Sequence, residues 1–461
     1  MGIDLRGSRS PRGSLSFTNT AGAVPALATL AKGVGRKLVA GVAGACALIP
    51  LLLVLAPQQA QAVPSFARQT GQNCVACHAG GQFPELTPYG RLFKLTGYTI
   101  GQRELPLAMM AVVTSNKQKV NDPTQGKTQD GSLIFNTASL FIAGKISDRV
   151  GGFAQITYNN YDNQDNPEGR WAGHTGSDNL DVRYADHLIN NHQDLIYGFT
   201  LNNNPTVEDV FNSAPAWGYG IVPGSTGQGS GTSTILEDGL GQQVAGIGAY
   251  AYWNKTLYAE ISGYRTGDGV FSFMTQGNGG QVYIKGTNPY IRLALTKEWG
   301  PSNAMIGFTH FDVRPYTDQT NLGGATDHYR DTGFDAQYQY LLDPYTLTAM
   351  VTRIHETIDS GTPGVSSDTV NSLRAKTSFT YQAKYGATVS YFNYDNTGNG
   401  ASGFSAVDTR YGSSGWTPEV FWLPLQNVRI GLQYTKFNRF NDTSQNASDN
   451  NTLFFYVWGA Y

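Results

Sequence analysis

Charge is scarce in this chain. Only 14% of its 461 residues are Asp, Glu, Lys or Arg, against about a quarter in ordinary soluble domains, and the two signs nearly cancel to a formal net charge of -2. That balance lacks the basic field nucleic acid requires, and no run of Lys or Arg suggests another polyanion partner. Cysteine is scarcer still, three in the chain, too few for a disulfide scaffold. Long apolar runs are missing apart from one near the N-terminus, which excludes a bundle of membrane helices, each needing about 20 consecutive apolar residues. Mean hydropathy is -0.30. What the chain has instead is 55 Gly, 26 Tyr and 22 Phe.

The single apolar run covers residues 38–56, follows Arg36 and Lys37, and is succeeded by Ala60-Gln61-Ala62, a small-x-small pattern. This reads as a secretory signal peptide with a long n-region, residues 1–62, cleaved before Val63. Cys46 falls inside the run and leaves with it. Two cysteines then remain, in Cys74-Val75-Ala76-Cys77-His78, the C-x-x-C-H attachment pattern of c-type haem. Two thiols three positions apart can each form a thioether to one vinyl group of a porphyrin, and the adjacent His78 is then the proximal iron ligand. The rival readings are a disulfide, a thioredoxin-like redox pair and half a zinc site. Zinc wants four ligands and no second Cys pair exists, while a redox pair wants a βαβ context that is absent. The haem segment, residues 63–104, is too short to build a core around a cofactor unaided. The remainder of the chain must cover it.

From residue 105 to 461 the sequence alternates apolar and polar in segments of about ten residues bounded by Gly, Asn, Asp or Pro, as transmembrane strands do. Ile291, Leu293 and Leu295 share one face while Arg292, Ala294, Thr296 and Glu298 share the other. Leu257, Ala259 and Ile261 oppose Tyr258, Glu260 and Ser262, and Val428, Ile430 and Leu432 oppose Arg429, Gln433 and Thr435. The apolar set is expected to face lipid and the polar set the lumen. About sixteen such segments are predicted, starting near residues 105, 133, 150, 179, 194, 242, 256, 289, 303, 330, 345, 372, 385, 415, 428 and 451. Tight connections are expected near Ser147, Asn190, Asn254, Gly300, Asp343, Lys384 and Gln426, and long polar ones around 117–131, 163–178 and 204–241. Short periplasmic turns, longer extracellular loops and an even strand number are the pattern of bacterial outer-membrane barrels. A soluble β-sandwich shares the short strands, but its loops would not alternate so regularly. Trp253, Trp299, Tyr345 and Tyr385 sit beside the tight turns, where a lipid interface favours aromatics, and the chain closes on an alternating aromatic strand from Leu453 to Tyr461. The predicted fold is therefore an all-β transmembrane barrel preceded by a small N-terminal c-type haem segment that plugs it.

Phe66-Ala67-Arg68-Gln69-Thr70-Gly71, the haem motif, and the stretch Pro84-Glu85-Leu86-Thr87-Pro88-Tyr89-Gly90-Arg91-Leu92-Phe93-Lys94-Leu95-Thr96-Gly97-Tyr98 together resemble the outer-membrane monohaem cytochrome and porin fusions of iron-oxidising bacteria. The motif likeness covers about forty residues and the barrel matches as architecture. The departure is Gly80-Gly81-Gln82, slightly long, which bears on how the haem segment docks. The resemblance implies an electron-transfer oxidoreductase with one covalent haem c, taking electrons from extracellular Fe(II) and passing them to a periplasmic carrier, a cytochrome or a copper protein, across outer-membrane lipid. Its alternatives are a haem conduit for another extracellular donor or acceptor, and a passive porin with a haem-bearing plug.

For the distal ligand, no other His precedes the first strand. Leu107, Met109, Ala111 and Val113 form its more apolar face, so Met110 should point inward, and a Met/His pair suits a high-potential haem. The alternatives are Met110 as packing, or a lumen histidine such as His187, His310 or His355. Arg68, Arg91 and Lys94 are equally eligible to pair with haem propionates or to be solvated or paired in the lumen. Glu208, Asp209, Glu237 and Asp238, in the longest predicted loop, are expected to give the outer mouth a negative surface that concentrates cations, unless they are simply solvated. No metal-ligand cluster of definite spacing is visible.

Overall fold

The computed structural model describes residues 64–81, 84–121, 125–165, 170–213, 233–276, 282–398 and 412–461. The apolar run, the cleavage pattern and Cys46 lie outside these residues. Among the described residues, sixteen antiparallel strands close on themselves in sequence order, each paired with its neighbours and β1 with β16. They are β1 (Leu107–Gln118), β2 (Ile134–Lys145), β3 (Val150–Asp165), β4 (Arg170–Asn190), β5 (Gln193–Asn202), β6 (Val244–Trp253), β7 (Leu257–Thr266) and β8 (Asn288–Trp299), followed by β9 (Ser302–Val313), β10 (His328–Leu342), β11 (Tyr345–Asp359), β12 (Asp368–Tyr381), β13 (Tyr385–Asn396), β14 (Ser413–Leu425), β15 (Val428–Arg439) and β16 (Thr452–Ala460). Closure leaves no sheet edge unpaired, which is what hydrocarbon demands of a β-structure. The last strand seals the barrel in register, from Met110 opposite Ala460 to Gln118 opposite Thr452.

The distribution of side chains is inverted relative to a water-soluble protein. Arg183 and Arg292 are fully buried, at 0% exposure, while Ile261 at 59% and Phe334 at 61% stand on the outside. A continuous outer band of this kind is untenable in water and correct in lipid. Parity holds strand by strand as expected: on β8 Tyr290, Arg292, Ala294 and Thr296 are buried while Leu293 and Leu295 are exposed, and β7 and β15 repeat the pattern. Trp253, Trp299, Tyr345 and Tyr385 are all exposed, at the turn end of the barrel, where their rings suit the headgroup boundary. The seven tight turns fall where predicted, and β1 begins and β16 ends at that same end, the periplasmic one by the rule for bacterial barrels. The protein is an outer-membrane β-barrel.

One predicted connection is corrected. The expected long loop over 163–178 is largely strand, because β4 begins at Arg170 and β3 continues to Asp165, with a register shift between Asn159 and Asn163. The sequence over 159–178 is nearly all polar and glycine, so it lacks the apolar/polar alternation that signals a strand.

Candidate functional site: the haem motif in the lumen

The N-terminal segment forms three short helices, α1 (Pro64–Thr70), α2 (Cys74–Cys77) and α3 (Pro88–Leu95). Helix α3 starts as its sequence dictates. Pro88 occupies the first turn, where its missing N–H is not needed, and Thr87 caps the helix by accepting a hydrogen bond from the Gly90 amide. Gly90 is required for a second reason. A Cβ there would lie 2.2 Å from the Cys77 carbonyl oxygen, so only glycine allows α3 to lie against the Cys-x-x-Cys turn.

The motif itself is one turn of helix with unbridged thiols. Cys74 is buried and Cys77 partly so, and burial pushes their thiols up to about 12 and about 11. The His78 amide donates to the Cys74 carbonyl, and His78 pairs as a β-bridge with Leu86. Desolvation lowers the imidazole to about 4, with the Glu85 carboxylate opposing that shift. Its Nδ1 is buried and has no hydrogen-bond partner. A buried polar atom left unpaired costs about 1–3 kcal/mol, unless something beyond the polypeptide occupies the imidazole.

The doubtful Gly80-Gly81 stretch makes a tight reversal. Both glycines have positive φ, 81° and 92°, and the chain returns so that the Ala79 amide donates to the Glu85 carbonyl. The reversal lies against the barrel wall: a Cβ on Gly80 would meet Thr380 of β12, and one on Gly81 would approach Ala383 and Leu423. Glu85 pairs with Lys376 of β12. The extra glycines therefore dock the motif near the turn end of β12–β14.

Helix α3 anchors the segment further round the ring, on β9 and β10, and on the inward loop. Arg91 donates to Gln337 of β10 (2.9 Å) and Asn303 of β9 (2.7 Å). Lys94 donates to the carbonyls of Val207 (2.6 Å) and Asp209 (2.8 Å) and to the Asn212 side chain (3.2 Å). Burial lowers Lys94 to about 8, so it remains charged at neutral pH. Arg68 donates to the Leu105 and Leu107 carbonyls. Of the two roles open to these three cations, the structure places Arg91 and Lys94 against the wall and the inward loop, and Arg68 on the backbone leading into β1.

The connection after β5 is the larger correction. Instead of facing outside water, residues 203–213 turn into the lumen: Glu208 and Asp209 are fully buried and Glu237 nearly so. Asp209 pairs with Arg292 of β8, and Glu237 with Arg374 of β12. The Glu208 carboxylate accepts from Tyr264 of β7 (2.5 Å). Their partners are lumen-wall cations and phenols from strands far away in sequence, which a reading of the loop alone cannot see. The predicted negative surface at the mouth loses these three carboxylates; the side chain of Asp238 lies outside the described residues. Phe211, at the tip, lies between the guanidinium groups of Arg91 and Arg292, 5.7 and 5.9 Å from its ring centre. N-terminal segment, inward loop and wall thus share one packed interior, with Leu95, Phe211, Tyr250, Tyr258 and Met305 in a single cluster.

Met110 faces inward, as parity predicted, and packs with Val112, Phe454, Tyr456 and Trp458, whereas the His78 turn contacts β12–β14. His310 and His355 are corrected to the outer face, where each bonds a neighbouring strand residue, Thr332 and Asn371. Each is one residue out of phase with its lumen-facing neighbours, Phe311 and Glu356. His187 keeps lumen parity but is exposed beside the β4–β5 turn. A methionine that sequence reasoning missed is Met350 of β11. It is 5% exposed and stands between Gln337 and Lys376, the wall residues that hold Arg91 and Glu85. Its signal was present, since Met350 alternates with the polar set Thr348, Thr352 and Glu356.

No family model and no curated protein matches this chain. Among solved structures it is similar to a loop-deletion mutant of OmpT, an outer membrane protein of Vibrio cholerae, at 10% identity and a TM-score of 0.44, covering 77% of this chain and 98% of that one. It is similar to OmpF of Salmonella typhi in complex with daunomycin at 14% and 0.45, covering 78% and 98%. It is also similar to an anion-selective porin of Comamonas acidovorans at 12% and 0.40, covering 77% and 98%. Likeness at this level says nothing about what the present chain carries.

Proposed function

We propose that this outer-membrane barrel is a monohaem electron conduit, which takes electrons from extracellular Fe(II) and delivers them to a periplasmic carrier. The observation that carries the proposal is the motif on its lumen segment: two unbridged thiols on one helical turn, followed by a buried imidazole whose Nδ1 has no partner in the polypeptide. These groups fit haem c. Cys74 and Cys77 would hold it by two thioethers and His78 would ligate its iron. Bound there, haem supplies reversible one-electron chemistry.

The chain's own residues position and insulate. Arg91, Lys94 and Glu85 tie the haem segment to β10, to the inward loop and to β12, so the motif is fixed rather than tethered. Phe211, Leu95 and Met305 keep water out of the packed side. Met110, by direction, or Met350, by its neighbours, would offer a thioether to the haem iron; such a ligand would raise the potential, which suits Fe(II) as donor. The barrel by itself equally supports a passive porin, but a lumen crossed by both the N-terminal segment and residues 203–213 leaves less room for solute.

Anaerobic mixing of the purified oxidised protein with Fe(II), followed in the visible haem bands, tests the reading. Prompt reduction that is lost on replacing His78 supports it. A haem reduced by dithionite but not by Fe(II) leaves the conduit and removes this donor, and a chain without covalent haem overturns the proposal.

A further inference from the structure

Tyrosine is abundant in the lumen; Tyr98 and Tyr456 donate to Asp181 and Glu419, carboxylates that are each already paired with an arginine, and two more phenols, both on one strand, donate to glutamates. Tyr258 and Tyr264 of β7 are both fully buried. Each phenol donates to a carboxylate: Tyr258 to Glu260 of the same strand at 2.6 Å, and Tyr264 to Glu208 of the inward loop at 2.5 Å. The two carboxylates are electrostatic neighbours. Aromatic contacts extend from the pair in both directions. The Tyr258 ring lies 6.3 Å from Tyr250, whose hydroxyl donates to the Leu95 carbonyl of the haem segment, and 5.7 Å from Phe211. The Tyr264 ring meets Tyr290 at 6.3 Å and Phe311 at 5.8 Å.

A phenol that loses an electron becomes so acidic that its proton must leave at once. In a dry interior the step is blocked unless a base already holds that proton in a hydrogen bond. A carbonyl, such as that of Leu95 which Tyr250 meets, accepts no proton. Tyr290 is a built-in contrast: equally buried, it has a hydroxyl with no partner.

We infer that Tyr258 and Tyr264 form a redox-active site, at which a strong one-electron oxidant is reduced while the lumen carries the oxidising equivalent along its wall. In each step one electron leaves the phenol for the oxidant, or for a neighbouring radical. The phenolic O–H bond breaks and its proton passes to the ionised form of the glutamate it bonds, Glu260 for Tyr258 and Glu208 for Tyr264, giving a neutral tyrosyl radical and a carboxylic acid. Return of an electron reverses both movements. This goes beyond electron delivery to haem and does not depend on it.

The test is made on the full-length protein in detergent micelles. Photogenerated ruthenium(III) tris-bipyridine, with persulfate as sacrificial acceptor, oxidises the sample, which is frozen after milliseconds for electron paramagnetic resonance. The expected result is a tyrosyl signal with an exchangeable proton coupling that vanishes in deuterium oxide. The aged signal should fall at least threefold in Tyr258→Phe/Tyr264→Phe and in Glu208→Gln/Glu260→Gln, which retain side-chain shape. Tyr290→Phe should leave it unchanged. An unaltered signal in either double variant, or an equal loss in Tyr290→Phe, overturns the inference. Heat-modifiable gel mobility establishes that each variant is a folded barrel; should a double variant fail that check, the two single Glu→Gln variants decide by the same threefold criterion applied to their summed loss. Haem content enters none of these readouts.

Discussion

Replacing Arg292 with methionine should release the inward loop. The guanidinium is fully buried and bonds Asp335 of β10 through two nitrogens, one of them to Oδ2 at 2.8 Å. It also donates to Thr309 at 3.0 Å and Ser213 at 3.1 Å and pairs with Asp209 at 3.4 Å. Two of its partners, Asp209 and Ser213, belong to residues 203–213. Removing one member of a buried ion pair costs about 3–5 kcal/mol, because the remaining charge is stranded. Even about 3 kcal/mol, at tenfold per 1.4 kcal/mol, raises the population of the displaced loop roughly a hundredfold. The sixteen-stranded wall keeps its backbone pairing, so the loss should appear as a looser lumen. Planar-bilayer recording should then show a larger and noisier conductance than the parent, and limited proteolysis should cut within 203–243. Parent-like conductance and protease resistance in the single variant would refute the argument that this ion pair holds the loop.

Leu293→Arg places a charge on the lipid face near the middle of β8 and should cost about 2–4 kcal/mol, measured as a lower urea midpoint for unfolding, while Thr296→Ser on the lumen face should not. Cys74→Ala/Cys77→Ala should abolish haem staining on a denaturing gel yet keep the heat-modifiable mobility of a folded barrel. Met110→Ala and Met350→Ala together identify the second axial ligand: the variant that lacks it should lose the near-infrared thioether-to-iron absorption and show a lowered potential in a redox titration, and unchanged spectra in both would remove methionine from that position. Gly90→Ala, which would drive a Cβ into the Cys77 carbonyl, should reduce covalent haem incorporation, read as haem absorbance per protein.

The chain alone determined the barrel because a strand in a membrane has a two-residue period imposed by two solvents, and lipid against lumen is written into every second residue. Ile291, Leu293 and Leu295 opposite Arg292 and Thr296 could face no other way. The same parity put Met110 inside and, read strand by strand, would have found Met350 and set His310 and His355 outside. The Cys74-to-His78 motif was equally legible, being a chemistry of fixed local spacing. Where the sequence is almost wholly polar, as over residues 159–178, the period vanished and the extension of β3 and β4 was missed. What only the tertiary structure decided is the interior. Charged residues of a loop look the same in sequence whether they meet solvent or Arg292, and Asp209 finds that arginine 83 positions away. Burial of Glu208 against Tyr264, the seat of Arg91 on β9 and β10, and the docking of the glycine reversal on β12 all depend on which walls closure brings together. That is a long-range consequence of forming a ring, and no local period encodes it.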